Sequence, residues 1–417
     1  MKKNLTIVAV ALSLALIPLY GHSETGVGAL SEFGTSGGNI KVGALEIHPG
    51  VIVDEIYSDN LYSTAKVTDV EKKGWYNVVT PGVVFKLPLQ DHSITAGYAV
   101  EKYSYHTYSN EDYWAHTAQG GISLNFPGGL TLGVDNTFLK TRDFRNTEDS
   151  ITRVSHIDNN VSTSVGYVFP SEKLSFNLSY GNKYLKFDQV GSKAENRRDD
   201  TFSGTLFYKF LPKTSILAGY SVTDVNYFDS TSSTNGNSTN STAYVGLKWD
   251  GSTKFFGELK GGWSSRNYKN SLNANGNTYN DRNSWSSEVS MTYFPQKQTR
   301  FIVSFNKSFA ESTYAGTGAI AGTSGYDKTK GEVNLEHYFT RKISVNLIGT
   351  VSKSDYEALG TGVARKDGKI NAHVSAKYRI QKWLQLKGHY EYSNTLSSDS
   401  AQDIVVNKFG INLIAAF

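Results

Sequence analysis

His373 and Ser375 come closest to a catalytic arrangement among the residues of this 417-residue chain. Two positions apart in a β-strand, their side chains would share a face, which could set an imidazole base beside a hydroxyl nucleophile. The nine His residues are otherwise scattered without the spacing of a metal site, Cys is absent, and no Gly-rich phosphate loop opens a helix. The sequence therefore predicts no cofactor and no bound metal.

Sixteen charged residues have a more regular placement, because each falls on the polar side of a segment in which apolar and polar residues alternate. Such alternation is typical of strands. Acidic and basic residues are mixed, which favours a water-filled, hydrogen-bonding pore wall over an ion-selective ring. Pairing of these charges with one another is the alternative interpretation. The residues are Glu101, Asp135, Lys183, Lys209, Lys248, Glu258, Lys260, Glu288, Arg300, Glu332, Glu336, Lys369, Lys377, Arg379, Lys387 and Glu391.

Four tyrosines on the same side could bind sugars, because a pyranose stacks its flat face on an aromatic ring while its hydroxyls bond to polar neighbours. These candidates are Tyr103, Tyr105, Tyr244 and Tyr338. A purely structural role is the alternative for each of them.

The last fifteen residues, 403–417, predict the final strand. Apolar residues at every second position from Phe409 to the terminal Phe417 share one face of it. This pattern resembles the terminal strand by which outer-membrane β-barrels are recognised for assembly. Phe417 is therefore the expected assembly signal, and the last strand of a soluble sheet is the alternative.

The amino terminus has a different character. Lys2 and Lys3 precede an apolar run that ends at Tyr20, and small residues follow, as in a secretory signal peptide. We predict a signal peptide over 1–23 and, because Gly, Ser and Thr are frequent there, a flexible periplasmic tail over 24–45. Removal of the signal would lower the formal net charge from +4 to +2, so a nucleic-acid partner is not expected.

Eight short turns divide the remainder, 46–417, into pairs of long segments. Most combine an apolar or aromatic residue with Pro or Asp-Gly, which are turn-forming residues. Successive turns start 38 to 45 residues apart, a period that a propeller blade could also have. Each period here holds two long segments, however, whereas a blade holds four short strands. The turns start at Leu87, Phe126, Phe169, Leu211, Trp249, Phe294, Phe339 and Ile380.

Longer polar stretches alternate with these turns, as extracellular loops alternate with periplasmic turns in outer-membrane barrels. Aromatic residues recur beside the short turns and predict a girdle at the membrane interface. Eight turns with both chain ends on the turn side predict an all-β, transmembrane antiparallel barrel of about 18 strands. Residues 58–73 form the longest loop and the expected gate.

The first strand and loop carry a family resemblance. Residues 46–63 read EIHPGVIVDEIYSDNLYS, and residues 76–85 read YNVVTPGVVF. This stretch resembles the outer-membrane β-barrel porin family associated with bacterial exopolysaccharide export, through Tyr57, Asp59 and Asn60. The local likeness ends near Glu101, and only the hairpin rhythm continues beyond it. The family pattern assigns these three residues no role, and a turn leaving the strand is the simplest interpretation.

Within such a barrel, His373 and Ser375 would face the interior. Their spacing is that of outer-membrane phospholipases, but these residues lie on the wrong face and lack the Asn-Gly continuation, so an enzyme is not expected.

The resemblance implies a channel in the bacterial outer membrane for exopolysaccharide export. A general porin for small solutes and a barrel that anchors its loops for adhesion or assembly are the alternatives. Expected partners are outer-membrane lipid, the barrel assembly machinery, the polysaccharide and periplasmic export proteins.

Overall fold

The computed structural model describes residues 26–35, 40–65, 72–142, 154–188, 190–229, 236–250, 254–272, 276, 278–311, 325–356 and 364–417. The predicted signal peptide lies outside these residues, as does the segment 66–71 of the expected gate loop. One helix, α1, spans Gly26–Thr35.

Eighteen antiparallel strands, β2 to β19, form a closed barrel, because β19 pairs with β2. The predicted fold class is confirmed, and each of the eight predicted turns joins two neighbouring strands. The strands are β1 Ile40–Val42, β2 Leu45–Ser58, β3 Gly74–Leu89, β4 His92–Tyr105, β5 Tyr113–Asn125, β6 Leu130–Arg142, β7 Ser155–Val168, β8 Leu174–Phe187, β9 Arg197–Leu211, β10 Thr214–Tyr227, β11 Ser238–Trp249, β12 Phe255–Tyr268, β13 Arg282–Gln296, β14 Thr299–Glu311, β15 Gly325–Tyr338, β16 Ile343–Tyr356, β17 Lys366–Arg379, β18 Leu384–Ser397 and β19 Ile404–Ala416.

The short turns have the chemistry that tight connections require. Gly128 and Gly129 have φ angles of 94° and 90° in the turn between β5 and β6, a region that favours glycine. Thr340 closes the turn before β16, where its hydroxyl accepts hydrogen bonds from the backbone N–H groups of Lys342 and Ile343. Local sequence therefore determines where the strands turn.

The outer surface is apolar, since the large apolar residues of alternate positions are exposed on it. Leu178, Phe202, Val245 and Val351 are examples. This inverted arrangement suits a barrel surrounded by lipid. In the part of the chain that the structure describes, no helix has the length and apolar character needed to cross a membrane.

The seam between β2 and β19 closes the barrel. The terminal N–H of Phe417 donates to Pro49 O at 2.9 Å, and the Phe417 ring stacks on Trp383 at 5.2 Å. These contacts place the chain terminus in the aromatic girdle at the turn end. The role of Phe417 as an assembly signal stays a prediction.

Two residues of the family-like motif stabilise the other end of this seam. They lie just beyond Ser58 and Lys408, the last residues paired between β2 and β19. The Asp59 carboxylate accepts from the backbone N–H and the side-chain amide of Asn407, at 2.8 and 2.6 Å. The buried Asn60 amide donates to Val405 O at 3.1 Å and to Thr64 O at 2.9 Å. Tyr57, the third motif residue, contacts Trp75 at 5.3 Å between ring centroids. The motif therefore joins the first loop to the last strand.

Replacing Asn60 by alanine is expected to destabilise this closure, because its buried amide group bonds to both β19 and the loop. A hydrogen bond contributes about 1 kcal/mol net, so a loss of roughly 2–3 kcal/mol is expected. The measurement is the urea midpoint of barrel unfolding in lipid vesicles. Asn125→Ala is the matched control, because Asn125 makes an exposed side-chain bond in a periplasmic turn. Equal midpoints for the two variants would contradict the assignment.

The expectation of a flexible tail over 24–45 is wrong for the described residues. Residues 26–35 form α1, β1 pairs with the start of β2, and β2 begins at Leu45. Ala29, Leu30 and Phe33 explain the helix, since their spacing gives it one apolar face. The Gly, Ser and Thr content of the segment obscured this short apolar pattern.

Candidate functional site

The barrel interior is the candidate site, and strand register places all sixteen predicted charged residues on its inner face. Directly opposed residues share a face, and a row of them runs from Asn346 through Ser375 to the buried His389. Whether each of the sixteen contacts a solute stays a prediction. Some of these residues lie on an open polar wall, and others contact packed parts of the interior.

The polar wall carries charges that largely neutralise one another. Lys260 lies 2.6 Å from Glu258 and 3.3 Å from Glu288. Arg300 pairs with Glu336 at 2.7 Å. Lys330 and Glu332 lie 2.9 Å apart. The interior therefore presents hydrogen-bonding groups without an extended field of one sign, in agreement with the pairing alternative.

Helix α1 occupies the turn end of the interior, against β2 to β5. Its side chains Ala29, Leu30 and Phe33 form a buried cluster with Ile52, Val84, Ala99, Ile414 and Ala416 on the inner wall. Phe33 has no exposed surface. A side chain on Gly50 would overlap its ring, and a Cβ on Gly82 would lie 2.8 Å from it. The helix packs closely because the wall is glycine at these two positions.

Polar contacts fix both ends of α1. Lys377 binds the Glu32 carboxylate at 2.8 and 2.9 Å, and the Lys86 ammonium donates to Gly34 O. At the other end, Glu101 lies beside Gly26, where a carboxylate interacts favourably with the positive end of the helix dipole. Two of the sixteen charged residues, Glu101 and Lys377, therefore contact the helix.

A tyrosine cluster fills the extracellular half of the same side. Tyr103 stacks on Tyr113 at 4.3 Å, and Tyr76 stacks on Tyr105 at 5.1 Å. Loop residues Leu61 and Tyr62 are buried with them. Tyr103 and Tyr105 are only 7% and 3% exposed, so neither offers a free face to a sugar. Their packing agrees with a purely structural role.

Tyr244 has a different environment, on the opposite wall at β11. Its ring lies over Gly219, where a side chain would overlap it, and its hydroxyl lies 2.7 Å from the Thr205 hydroxyl. Lys260, held by two carboxylates, approaches the ring to 5.5 Å. Because the ring is half-buried, this arrangement places a flat aromatic surface beside hydroxyl, ammonium and carboxylate groups.

Tyr338 and the pair His373 and Ser375, the remaining predicted groups, are placed less favourably for binding a solute. Tyr338 is exposed near the turn end and donates its hydroxyl to Glu336 at 2.8 Å. His373 lies on the inner face, as expected, and stacks on His389 with ring centroids 5.9 Å apart. Ser375 is buried.

A charged cluster narrows the extracellular mouth. Arg266 of β12 is 1% exposed and binds Glu311 of β14, and Tyr227 of β10 donates to the same carboxylate at 3.0 Å. Strands β10 and β14 are four positions apart in the sheet, or about 19 Å along the wall. Contact between their side chains therefore bridges a corner of the mouth.

Glu195, in the loop before β9, belongs to the same corner. Burial raises the pKa of its carboxyl to about 7, with Arg197 opposing and Glu311 reinforcing the shift. Because the folded form binds a proton more tightly than an unfolded chain, the contribution of Glu195 to stability decreases as pH rises from about 4.5 to 7. Burial of Glu195 at this corner is thus favoured at acidic pH.

Sequence reasoning missed α1 and the residues that receive it. Gly50 and Gly82 each follow a proline within the two family-like stretches, but that pattern does not indicate a helix packed on them. Only the apolar spacing within α1 could have indicated a packed helix.

Comparison with known families decides the identity of the barrel. The model of the family "Putative beta-barrel porin 2" matches residues 33–417. The chain belongs to this family. Its match begins at Phe33, the residue that anchors α1 to the wall. As a porin of this family, the protein resides in the bacterial outer membrane and has the architecture of an outer-membrane channel.

Solved outer-membrane proteins resemble the barrel at low identity. OccAB4 of Acinetobacter baumannii is 13% identical, with 89% of this chain and 98% of that chain covered and a TM-score of 0.44. OpdK of Pseudomonas aeruginosa with vanillate is 9% identical, with 89% and 99% covered and a TM-score of 0.49. A sequence search of curated proteins finds no match.

Proposed function

We propose that this porin exports exopolysaccharide across the outer membrane. The observation that carries the proposal is the wall around Tyr244, where a flat ring is bordered by the Thr205 hydroxyl and by a neutralised Lys260. A sugar ring presents both an apolar face and hydroxyl groups, so it fits such a surface. Charge pairing on the wall also suits a solute of low charge.

The asymmetric interior agrees with passage of an extended chain. Helix α1 and the tyrosine cluster occupy the side formed by β2 to β5, which leaves the polar wall as the path. Export would need periplasmic and inner-membrane partners to supply the polymer, and these partners form part of the proposal.

A deletion strain tests the direction of transport. Polymer synthesis at the inner membrane should continue, while the amount of polymer at the cell surface falls. The measurement is polymer in the surface and cell-associated fractions, with the intact gene restored as control. Normal surface polymer together with impaired uptake of a small solute would replace export with a general porin function.

Tyr244→Ala should weaken the binding of neutral oligosaccharides that transiently block the channel. An aromatic contact contributes about 1 kcal/mol, so an affinity loss of about fivefold is expected. Current block in planar bilayers measures it. Tyr244→Phe keeps the ring and should keep most of the affinity.

Tyr220→Ala provides the matched control, because Tyr220 lies on the neighbouring strand and is exposed on the outer face. It should leave oligosaccharide block unchanged. Equal losses in the Tyr220 and Tyr244 variants would remove the wall around Tyr244 from the proposal without deciding the direction of transport.

A further inference from the structure

The outer face of the barrel carries a row of basic residues near the extracellular ends of β5, β6 and β8. Strand register sets His116 opposite Lys140, Lys140 opposite Ile157, and Ile157 opposite Lys186. These four residues therefore lie at one level across four neighbouring strands. Arg142 is the next position of β6 on the same face.

Neighbouring contacts establish that the row faces outward. His116 Nδ1 lies 2.8 Å from the hydroxyl of the exposed Tyr98. Leu185 and Phe187, on either side of Lys186 in sequence, are buried in the interior, so Lys186 points to the opposite face. The side chains of the row therefore lie on the outer surface of the barrel.

The level of the row is that of the outer leaflet. Lys186 is the second-last residue of β8, and Arg142 is the last residue of β6. Towards the periplasmic turns, the same faces carry Val134 and Leu178, which are exposed and apolar. Above His116, Trp114 is 57% exposed and lies under Lys102 at 5.3 Å, as expected of an interfacial aromatic residue.

The charge of this row is not neutralised by the described residues. Two other outward basic residues near the extracellular end have acidic partners: Lys353 lies 2.7 Å from Asp355, and Lys269 lies 2.5 Å from Asp224. No described acidic residue lies within ion-pair distance of Lys140, Arg142 or Lys186. The Arg142 Nε is buried and lacks a hydrogen-bond partner in the described part of the chain.

We propose that this row binds the phosphate groups of lipopolysaccharide in the outer leaflet. Lys and Arg form strong charge-assisted hydrogen bonds with phosphate. Lys140 and Lys186 are two strands apart, or roughly 10 Å, so they can contact separate phosphates or oppose each other across one. The glycolipid would bind at β5 to β8, outside the transport path.

The test measures how much lipopolysaccharide binds to the full-length barrel in detergent. Purified barrel is titrated with intact lipopolysaccharide and with lipopolysaccharide stripped of its lipid A phosphates, and retained lipid is quantified. The Lys140→Gln, Lys186→Gln double variant should bind intact lipopolysaccharide about thirtyfold more weakly, since two surface charges at about 1 kcal/mol each correspond to that change in affinity. Wild-type barrel should show a similar loss with the dephosphorylated form.

Lys353→Gln is the matched control, because Lys353 also faces outward near the extracellular end but pairs with Asp355. Its binding should equal that of the wild type. Heat-modifiable migration on gels verifies that each variant forms the barrel. Undiminished binding by the double variant, undiminished binding of the dephosphorylated lipid, or an equal loss in the Lys353 variant would overturn the proposal.

Discussion

Gly50→Ala is expected to raise single-channel conductance, because the added methyl group would overlap the Phe33 ring and displace α1 from the wall. The effect on conductance follows from size. Eighteen strands, as counted in the sheet, give a backbone radius of about 18 Å, of which side chains leave roughly 12 Å. A helix about 10–12 Å across fills about a fifth of that section. We expect a rise of roughly a quarter, and more if α1 lies at the narrowest point.

Phe33→Ala tests the same contact from the other side. Loss of a buried Phe side chain costs about 3–5 kcal/mol, which should also release the helix. If the two residues act through one contact, the double variant should conduct no more than either single variant, because effects at contacting residues are not additive. Planar-bilayer recordings provide the measurement. Unchanged conductance in Gly50→Ala and Phe33→Ala would show that α1 does not obstruct the pore.

A cross-link supplies the opposite perturbation, since the natural chain has no Cys. A Cβ at Gly26 would lie 2.7 Å from the Thr117 Cβ, about 1 Å closer than in a disulfide, so a small shift admits one. Gly26→Cys with Thr117→Cys, introduced into Phe33→Ala, should return conductance to the wild-type value under oxidation. Reduction should raise it again.

The barrel could be predicted because its causes are local. Turn residues such as Pro127, in the turn after β5, and Asp250, directly after β11, mark short turns in the sequence, and alternation assigns each strand residue to a face. Phe409 and Phe417 could thus be placed outward from sequence alone, and both are exposed. The same short-range rules apply to every hairpin of a barrel, so an incorrect prediction at one turn does not affect the prediction of the others.

The contents of the barrel could not be predicted, because they depend on residues distant in sequence. Whether Phe33 packs on Gly50 and Gly82 is decided by barrel closure, which brings β2 and β3 against a helix that precedes them. Alternation placed Tyr103 and Tyr244 on the inner face alike. Only the tertiary structure separates the buried Tyr103 from Tyr244, whose ring remains half-exposed.

Arg266→Met is expected to destabilise the barrel by about 3–5 kcal/mol, because it leaves the buried Glu311 carboxylate without its cationic partner. Arg266 also donates to Asn240 at 2.9 Å and lies over the Phe309 ring at 5.1 Å. A side chain on Gly325 would overlap its guanidinium group. The urea midpoint of unfolding in lipid vesicles measures the loss. Arg300→Met is the control, since its exposed pair with Glu336 should contribute under about 1 kcal/mol.

Replacing both charges distinguishes the cost of an unpaired ion from the loss of the bridge itself. Arg266→Met with Glu311→Leu removes the uncompensated carboxylate and should recover most of the lost stability, since apolar residues of similar volume can replace buried ion pairs. Conductance should respond differently. The single variant loses the Arg266 contact to Glu311 across the corner of the mouth, and the double variant loses the Tyr227 contact as well. Both variants should therefore admit larger polymers than the wild type. A double variant as unstable as Arg266→Met would show that the guanidinium stabilises the corner through Asn240 and Phe309, not through Glu311.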